Sequence, residues 1–196
     1  MRMKVIGLTG GVGSGKSRVL DILKREYGAT VIQADLVARG LMEPGADGYE
    51  KLKAVYGDQI LGEDGTIDRP KMADLMFRDS AMRERVNGII HPLVWASIRR
   101  QIQEADCQLA VVEVALPDEN HRDIYTELWY VYTSEENRMA RLLEGRGYSR
   151  EKSRSIMDSQ MSEKQFRTMA DAVVDNNGSM EDTRRQIERL LKDSQC

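Results

Sequence analysis

A glycine-rich stretch near the start of the sequence restricts the possible folds more than any other feature. Residues 10–17 read GGVGSGKS and match the pattern G-x-x-x-x-G-K-[ST], between an apolar run at Met3–Leu8 and a helical pattern that Gly28 ends. The predicted apolar face of that helix carries Val19, Leu20, Ile22, Leu23 and Tyr27. Glycines let successive backbone N–H groups turn toward an anion, and the helix N-terminus adds its dipole. The strand, loop and helix together predict a phosphate-binding loop in an α/β fold.

The end of this loop supplies the side chains that nucleotide chemistry needs. Lys16 would place its charge on the β- and γ-phosphates, and the Ser17 hydroxyl would ligate Mg²⁺. The predicted nucleotide-binding residues of the loop are Gly11, Val12, Gly13, Ser14, Gly15, Lys16 and Ser17. A dinucleotide-binding loop is the alternative, but its third glycine would fall on Lys16, whose bulk prevents the close approach of helix and sheet. The predicted ligand is therefore a nucleoside triphosphate.

Short β-rich runs alternate with helical patterns along the chain. The predicted strands are Met3–Leu8, Ala29–Gln33, Leu109–Ala115, Leu128–Tyr132 and Ala172–Asp175. Three of these runs are nearly continuous in valine, isoleucine and leucine, which is typical of strands that are buried on both faces. The alternation predicts an α/β fold with a parallel five-stranded sheet flanked by helices.

Two helical segments interrupt this alternation and are predicted to be insertions on the sheet. The first, 36–105, contains a long helical pattern in which Pro92 predicts a kink or a break between two helices. The second, 134–165, is polar and ends where Ser162 and Gln165 have the spacing of a capping box for the next helix. The remaining ranges, 1–35, 106–133 and 166–196, would form the nucleotide-binding core.

Two carboxylates lie near the carboxyl ends of predicted strands. Asp35 follows the second strand, where α/β proteins place groups that handle the acceptor; the alternative is a helix N-cap for residues from Leu36 onward. Glu113 lies near the end of the third strand, where a carboxylate commonly orients the water shell of Mg²⁺. The alternative for Glu113 is a solvated glutamate at a strand end.

Arg138, Arg141 and Arg146 lie in the second insertion. Phosphoryl transfer needs positive charge that arrives late and excludes water, so a mobile basic lid is one interpretation. The alternative is a solvated helix face on which neighbouring glutamates pair with these arginines. His91 precedes a proline in an apolar helix, where a packed or capping histidine is expected rather than a catalytic one.

The overall charge and composition exclude several classes of partner. The 196 residues have a formal net charge of −3, so no global basic field attracts nucleic acid or an anionic membrane surface. The apolar runs are shorter than a bilayer span, and the beginning of the sequence does not resemble a signal peptide. Cys107 and Cys196 lack the spacing of a metal or redox motif, which favours a reducing, cytoplasmic compartment.

Motifs along nearly the whole chain resemble, in order, those of the dephospho-coenzyme A kinase family. They are LTGGVGSGKS at 8–17, ADLVAR at 34–39, EPG at 43–45, Gly65-x-x-Asp68-Arg69, IHP at 90–92, Arg141 with Arg146, AD at 170–171 and DNNG at 175–178. The resemblance implies a monomer that transfers the γ-phosphoryl group of ATP to the 3′-hydroxyl of dephospho-CoA, the last step of coenzyme A synthesis. It also implies that 36–105 binds the CoA moiety and that 134–165 is a lid.

The same resemblance implies roles for individual residues. Asp35 would be the base or orienting group for the 3′-hydroxyl, Arg141 the lid arginine, and Lys16 the third catalytic residue. Asn176 and its neighbours would border the adenine. The implied substrate-binding residues are Arg39, His91 and Glu119, and the implied metal-binding residues are Ser17 and Glu113.

One stretch departs from the family pattern. The family usually has a Pro-Leu-Leu run followed shortly by glutamate, whereas this chain has Ala115-Leu116-Pro117-Asp118-Glu119, and Glu113 replaces the aspartate before the run. Another P-loop kinase, acting on a nucleoside monophosphate or a metabolite hydroxyl, is the first alternative. A nucleotide-dependent switch is the second, although the chain has no Asn-Lys-x-Asp guanine-binding motif. An inactive CoA-binding relative is the third.

Overall fold

The computed structural model of the protein describes residues 3–193. Cys196, on which the sequence-based prediction of a reducing compartment partly rests, lies outside these residues. The strands are β1 (Lys4–Thr9), β2 (Thr30–Gln33), β3 (Leu109–Glu113), β4 (Glu127–Tyr132) and β5 (Ala172–Asp175). The helices are α1 (Lys16–Tyr27), α2 (Ala34–Leu41), α3 (Asp47–Tyr56), α4 (Arg69–Arg78), α5 (Ser80–Glu104), α6 (Glu135–Arg146), α7 (Arg150–Asp158), α8 (Glu163–Met169) and α9 (Met180–Asp193), with 3₁₀ helices at Gly57–Ile60 and Glu119–Ile124. Each predicted strand is present, with ends that differ by at most two residues.

The strands form one sheet in the order β2-β3-β1-β4-β5, which confirms the predicted parallel five-stranded sheet flanked by helices. In the centre, Leu8 of β1 pairs in parallel with Glu113 of β3 on one side and with Trp129 of β4 on the other. The glycine loop that follows β1 therefore starts at the middle of the carboxyl edge of the sheet. Parallel α/β sheets bind their ligands at this edge.

The described residues divide into two compact units, and the boundary falls within β2. The first unit extends to Val31 and resumes at Ala105, and the second is Ile32–Glu104. The second unit begins and ends within a few residues of the predicted insertion 36–105, whereas 134–165 belongs to the first unit. The roles of these segments in CoA binding and as a lid stay predictions. Within the described residues, no helix has both the length and the apolar character to cross a bilayer.

The first unit is held together by apolar side chains that cover the central strands. Trp129 and Val131 of β4 are fully buried, as are Ile6 and Leu8 of β1. The buried residues of α1 that pack in this core are Val19, Leu20, Ile22 and Leu23. Tyr27 was predicted on the same face, but as the last residue of the helix it is 37% exposed and does not belong to the buried core.

The second unit is helical and is organised around α5. Helices α2, α3 and α4 all pack on α5, whose buried residues are Met82, Val86, Ile90, Val94, Trp95 and Ile98. Of the two alternatives predicted at Pro92, the break is wrong, because α5 continues through it as one helix, and the kink stays a prediction. Pro92 has no N–H to donate to the carbonyl of Gly88 one turn earlier, but both residues are exposed, so water can bind this carbonyl.

The end of α1 generates a prediction about backbone strain. Gly28 has a φ of 65°, and a Cβ there would meet nothing within 4 Å, so replacement by alanine strains only the backbone. We expect Gly28→Ala to lower the free energy of unfolding by about 1 kcal/mol, measured by urea denaturation.

The matched control is Gly145→Ala in the last turn of α6, in the same unit. Its surroundings are equally open, but its backbone is helical. Alanine should therefore raise the free energy of unfolding by about 0.5–1 kcal/mol. Changes of the same sign in both variants would contradict the strain argument.

Candidate active site

The glycine loop between β1 and α1 is fixed through its backbone carbonyl oxygens. Each carbonyl from Gly10 to Gly15 accepts a hydrogen bond from a described residue. The donors are Lys16 Nζ to Gly10 (2.8 Å), the Ser14 N–H to Gly11 (3.1 Å), Arg138 Nε to Val12 (2.8 Å), Arg141 Nη1 to Gly13 (3.4 Å), Thr133 Oγ1 and Asn176 Nδ2 to Ser14 (both 2.8 Å), and the Arg18 N–H to Gly15 (3.0 Å). These contacts fix the orientation of the loop peptides, and with it the direction in which their N–H groups point.

The N–H groups of this loop form a site for an anion. Those of Gly13, Gly15 and Ser17 have no hydrogen-bond partner among residues 3–193. The φ angles of Gly13 and Gly15 are 76° and 86°, a region that residues with a Cβ rarely adopt. Gly15 is also the N-cap of α1, so the dipole of a 12-residue helix adds positive potential. The loop therefore fits a phosphate group.

The Lys16 ammonium lies against the loop beside a carboxylate. Its Nζ donates to the carbonyl of Gly10 at 2.8 Å and lies 3.8 Å from Oε1 of Glu113 at the end of β3. Both side chains are only 17% exposed. The alternative of a solvated glutamate at position 113 is therefore wrong, because this carboxylate is largely buried beside a cation.

The oxygen ligands near the loop suit magnesium that is shared with a phosphate. Within the described residues, no group of three histidine, cysteine, aspartate or glutamate side chains could hold a metal ion. Mg²⁺ commonly takes one or two protein oxygens and completes its shell with water and phosphate oxygens. The Ser17 hydroxyl in the first turn of α1 and the Glu113 carboxylate are donors of this kind. These residues fit a magnesium ion that arrives with the nucleotide.

Asn176 is a buried amide that supports the loop from behind. Its side-chain nitrogen donates to the carbonyl of Ser14 at 2.8 Å, and its oxygen accepts from Thr183 Oγ1 at 3.1 Å and Arg18 Nη1 at 3.2 Å. The residue is 1% exposed, and a Cβ at Gly15 would collide with the amide nitrogen. The amide that was predicted to border the adenine is thus directed to the protein, and its effect on a nucleotide passes through the loop.

Arg141 of α6 binds backbone carbonyls at two places. Its Nη1 donates to Ser14 at 3.2 Å and its Nη2 to Asn176 at 2.7 Å. Burial lowers the pKa of this guanidinium, and the positive charge of Arg18 lowers it further. The group stays charged near neutral pH, because arginine starts from so high a pKa. Arg146, which belongs to the same predicted set, is exposed at the end of the helix.

Arg138, one turn before Arg141, also lies against the loop. Its Nε donates to the carbonyl of Val12 at 2.8 Å, and burial lowers its pKa. The nearby Glu135 pairs with Arg154 of α7 at 2.9 Å. The alternative of a solvated arginine face is therefore wrong for Arg138 and Arg141.

The second unit carries three of the predicted substrate and catalytic residues. Asp35 is exposed in the first turn of α2, whose N-cap is Gln33, so the N-cap alternative for Asp35 is wrong. Arg39 is exposed on the same helix, and its carbonyl accepts from Arg69 Nη2 at 3.2 Å. His91 is exposed on α5, which contradicts the expectation of a packed or capping histidine. All three side chains are accessible to a ligand.

Glu119 lies in the first unit, in the stretch that departs from the family pattern. It is exposed and opens the 3₁₀ helix Glu119–Ile124. Asp118 caps this helix by accepting from the N–H of Asn120 and from Nδ1 of His121, both at 2.9 Å. The Asn120 N–H, followed by His121, holds the pKa of the Asp118 carboxyl below its usual value. The altered stretch is therefore a capped turn that presents Glu119 to solvent.

Sequence-based prediction did not identify three residues that support the loop. Thr133 is buried directly after β4, and its polar side chain at the carboxyl end of a strand was a usable signal. Thr183 of α9 and Gln160 after α7 gave no comparable signal, because polar residues are ordinary in such helical segments. Gln160 contacts Val12, which lies 148 residues earlier in the chain, whereas Thr183 contacts Asn176, only seven residues before it.

Sequence comparisons match the chain to one family over nearly its whole length. The family model described as dephospho-CoA kinase matches residues 4–182. A dephospho-CoA kinase of Carboxydothermus hydrogenoformans is 38% identical over 194 residues, which cover 97% of this chain and 94% of the relative. A dephospho-CoA kinase of Arabidopsis thaliana is 35% identical over 193 residues, which cover 96% and 83%.

Solved structures show the same fold. A crystal structure of a Thermus thermophilus protein has a TM-score of 0.84 and 29% identity, and the match covers 98% of both chains. A dephospho-CoA kinase from Campylobacter jejuni has a TM-score of 0.71 and 22% identity, covering 97% of this chain and 96% of the other. A shikimate kinase from Acinetobacter baumannii is similar at a TM-score of 0.54 and 17% identity, covering 98% and 94%. The last two likenesses concern the fold alone.

The buried amide of Asn176 generates a prediction about loop support. Asn176→Asp would set a carboxylate oxygen against the carbonyl of Ser14 and remove the donor that binds it. We expect the free energy of unfolding, measured by urea denaturation, to fall by about 2 kcal/mol. We also expect ADP to bind more weakly, as measured by calorimetry.

The same exchange of atoms at Asn87, which is exposed on α5, is the matched control and should change neither quantity by much. If Asn176→Asp binds ADP as tightly as the unmodified protein, the amide does not support the loop.

Proposed function

The chain belongs to the dephospho-CoA kinase family, and on this premise we propose that it transfers the γ-phosphoryl group of ATP to the 3′-hydroxyl of dephospho-CoA. The products are CoA and ADP, and the reaction is the last step of coenzyme A synthesis. The observation that carries the proposal is a phosphate-binding loop with Lys16 at its end, in a chain that the family matches over residues 4–182. The likeness to shikimate kinase is one of fold and does not favour a different acceptor.

Lys16 is proposed to stabilise the negative charge of the transferring group. Its Nζ is fixed by the carbonyl of Gly10 and lies near Glu113, so the ammonium is oriented within the protein itself. A charge that is already oriented costs little reorganisation when the transition state forms. The N–H groups of Gly13, Gly15 and Ser17 are likewise proposed to bind phosphate oxygens, since hydrogen bonds to the carbonyls already orient the loop.

Ser17 and Glu113 are proposed to hold Mg²⁺ with the nucleotide. The Ser17 hydroxyl would be a direct ligand, and the Glu113 carboxylate would orient coordinated water. When bound, the ion neutralises charge on the β- and γ-phosphate oxygens. The partial burial of Glu113 supports this role, because its carboxylate is held in place rather than solvated.

The acceptor is proposed to bind through exposed side chains. Asp35 would orient or deprotonate the 3′-hydroxyl, and its exposed carboxylate is available for this contact. Arg39, His91 and Glu119 are proposed to bind dephospho-CoA, and each is exposed. In this proposal the segment 36–105 binds the CoA moiety.

Arg141 is proposed as the third catalytic residue, on a lid formed by 134–165. Its guanidinium holds a positive charge beside the loop, where its planar fork donates to the carbonyls of Gly13, Ser14 and Asn176. A contact with the transferring phosphoryl group would require Arg141 to exchange one of these carbonyls for a phosphate oxygen.

We further propose that the protein acts as a monomer in the cytoplasm. We also propose that it has no nucleic-acid or membrane partner, and the net charge of −3 supports this second point.

The proposed activity predicts a preference among acceptors. ATP consumption should be fastest with dephospho-CoA, with kcat/KM at least about a hundredfold above that for adenosine, AMP or shikimate. It should stop in excess EDTA, because EDTA would remove the ion that Ser17 and Glu113 are proposed to hold and that would neutralise phosphate charge. Lys16→Ala is the inactive control. Comparable turnover of shikimate or AMP would contradict the proposed substrate.

The proposed role of Asp35 predicts a specific kinetic defect. Asp35→Asn keeps the shape and hydrogen-bonding capacity of the side chain but removes its charge, so kcat should fall by about 10²–10⁴ with little change in ATP affinity. Steady-state kinetics and nucleotide titration measure the two effects separately.

Asp47→Asn is the matched control, because Asp47 is likewise an exposed acidic residue in the first turn of a helix, α3. It should lose only the small interaction with the helix dipole. A normal kcat with a lowered melting temperature in both variants would give Asp35 a purely structural role.

A further inference from the structure

Val12, which we call the crest of the phosphate loop, is held by two side chains from the segment 134–165. Gln160 Oε1 accepts from the Val12 N–H at 2.8 Å, and Arg138 Nε donates to the Val12 carbonyl at 2.8 Å. Arg138 Nη2 also donates to the same Gln160 oxygen at 3.0 Å. We call this pair of side chains, Arg138 and Gln160, the clasp. It binds both backbone polar groups of one loop residue.

The clasp depends on local structure on both sides. Gln160 lies in the turn after α7, where its own N–H donates to the carbonyl of Met157 at 3.2 Å, so its backbone position is set by the helix end. On the loop side, a Cβ at Gly11 would lie 2.5 Å from Nη2 of Arg138. Position 11 is a variable position of the G-x-x-x-x-G-K-[ST] pattern, so phosphate binding alone does not require glycine there. The glycine leaves the space that Arg138 occupies.

We propose that Gln160, acting with Arg138, is a positioning residue for nucleotide binding. It fixes the crest of the loop to the segment 134–165 by accepting the Val12 N–H. Any displacement of this segment is then transmitted to the loop through Val12. The proposal deepens the kinase function proposed above and rests on it only for the kinetic measurements, because nucleotide binding is measured without an acceptor.

Loss of the clasp is expected to weaken nucleotide binding and to leave acceptor binding unchanged. A loop that is already ordered loses less conformational freedom when the phosphates bind than a loop that must be ordered at that moment. Both contacts of Gln160 use its oxygen as an acceptor, so a side chain of equal length without that acceptor removes the contacts and keeps the bulk. Gln160→Met makes this change.

Gln160→Met should weaken ADP binding about tenfold in calorimetry, and the KM for ATP should rise in proportion. The KM for dephospho-CoA should stay unchanged. Amide hydrogen exchange, followed by NMR, should accelerate at Val12, since its N–H loses its acceptor. Gln160→Glu retains an acceptor for both Val12 and Arg138 and should restore ADP binding to within about threefold of the unmodified protein.

Gln165→Met is the matched control, because Gln165 lies five residues further on and forms the capping box of α8 with Ser162. It should lower thermal stability but leave ADP affinity and Val12 exchange unchanged. Equal loss of ADP affinity in Gln160→Met and Gln165→Met would overturn the proposal, as would unchanged ADP affinity in Gln160→Met. If the unmodified protein fails to phosphorylate dephospho-CoA while Gln160→Met still weakens ADP binding, the proposed function falls and the clasp stands.

Discussion

Hydrogen bonds to the carbonyl oxygens of residues 10–15 maintain the shape of the phosphate loop. Glycine permits the φ angles that this loop needs, but it permits many others as well, so glycines alone leave the loop underdetermined. Some of the donors belong to the loop and α1, and the others come from the connections that follow β4 and β5 and from α6. The parallel sheet is needed for this arrangement, because it brings the ends of β1, β4 and β5 to one edge.

The charge around the loop is local and differs in sign from that of the whole chain. Lys16, Arg18, Arg138 and Arg141 all contact the loop or the amide behind it, whereas the protein carries a net charge of −3. Partial burial keeps these cations from being screened as surface charges are. Glu113 is the carboxylate paired with Lys16, and it tempers this positive potential at the place proposed for magnesium. An acidic protein can thus present positive potential at one loop.

The features that could be predicted from the sequence are those that depend on neighbouring residues. The loop motif, the strands and the capping box at Ser162 arise from patterns a few residues long, and the structure has all of them. The apolar face of α1 was predicted from its periodicity, but periodicity does not reveal how deeply each of its residues is buried, and Tyr27 at the helix end is 37% exposed. The sequence left open whether α5 is continuous at Pro92, because this depends on which face of the helix meets solvent.

Residues that act across the chain were harder to find. The buried amide of Asn176 and the clasp lie well over a hundred residues from the loop they bind, and no local spacing connects them. Family resemblance pointed to Asn176, but the structure was needed to show that its amide faces the carbonyl of Ser14. Gln160 belongs to a polar segment, where a glutamine gives no sequence signal of a specific contact.

The close approach of Arg138 to Gly11 has a consequence for how such a loop can evolve. A side chain at position 11 and a guanidinium from position 138 would compete for the same volume, so the two positions do not vary independently. A lineage that acquires even alanine at 11 must shorten or redirect residue 138, and it must then find another donor for the carbonyl of Val12. Substitutions at positions 11 and 138, which most of the chain separates, are therefore coupled: a residue accepted at one position limits the residues accepted at the other.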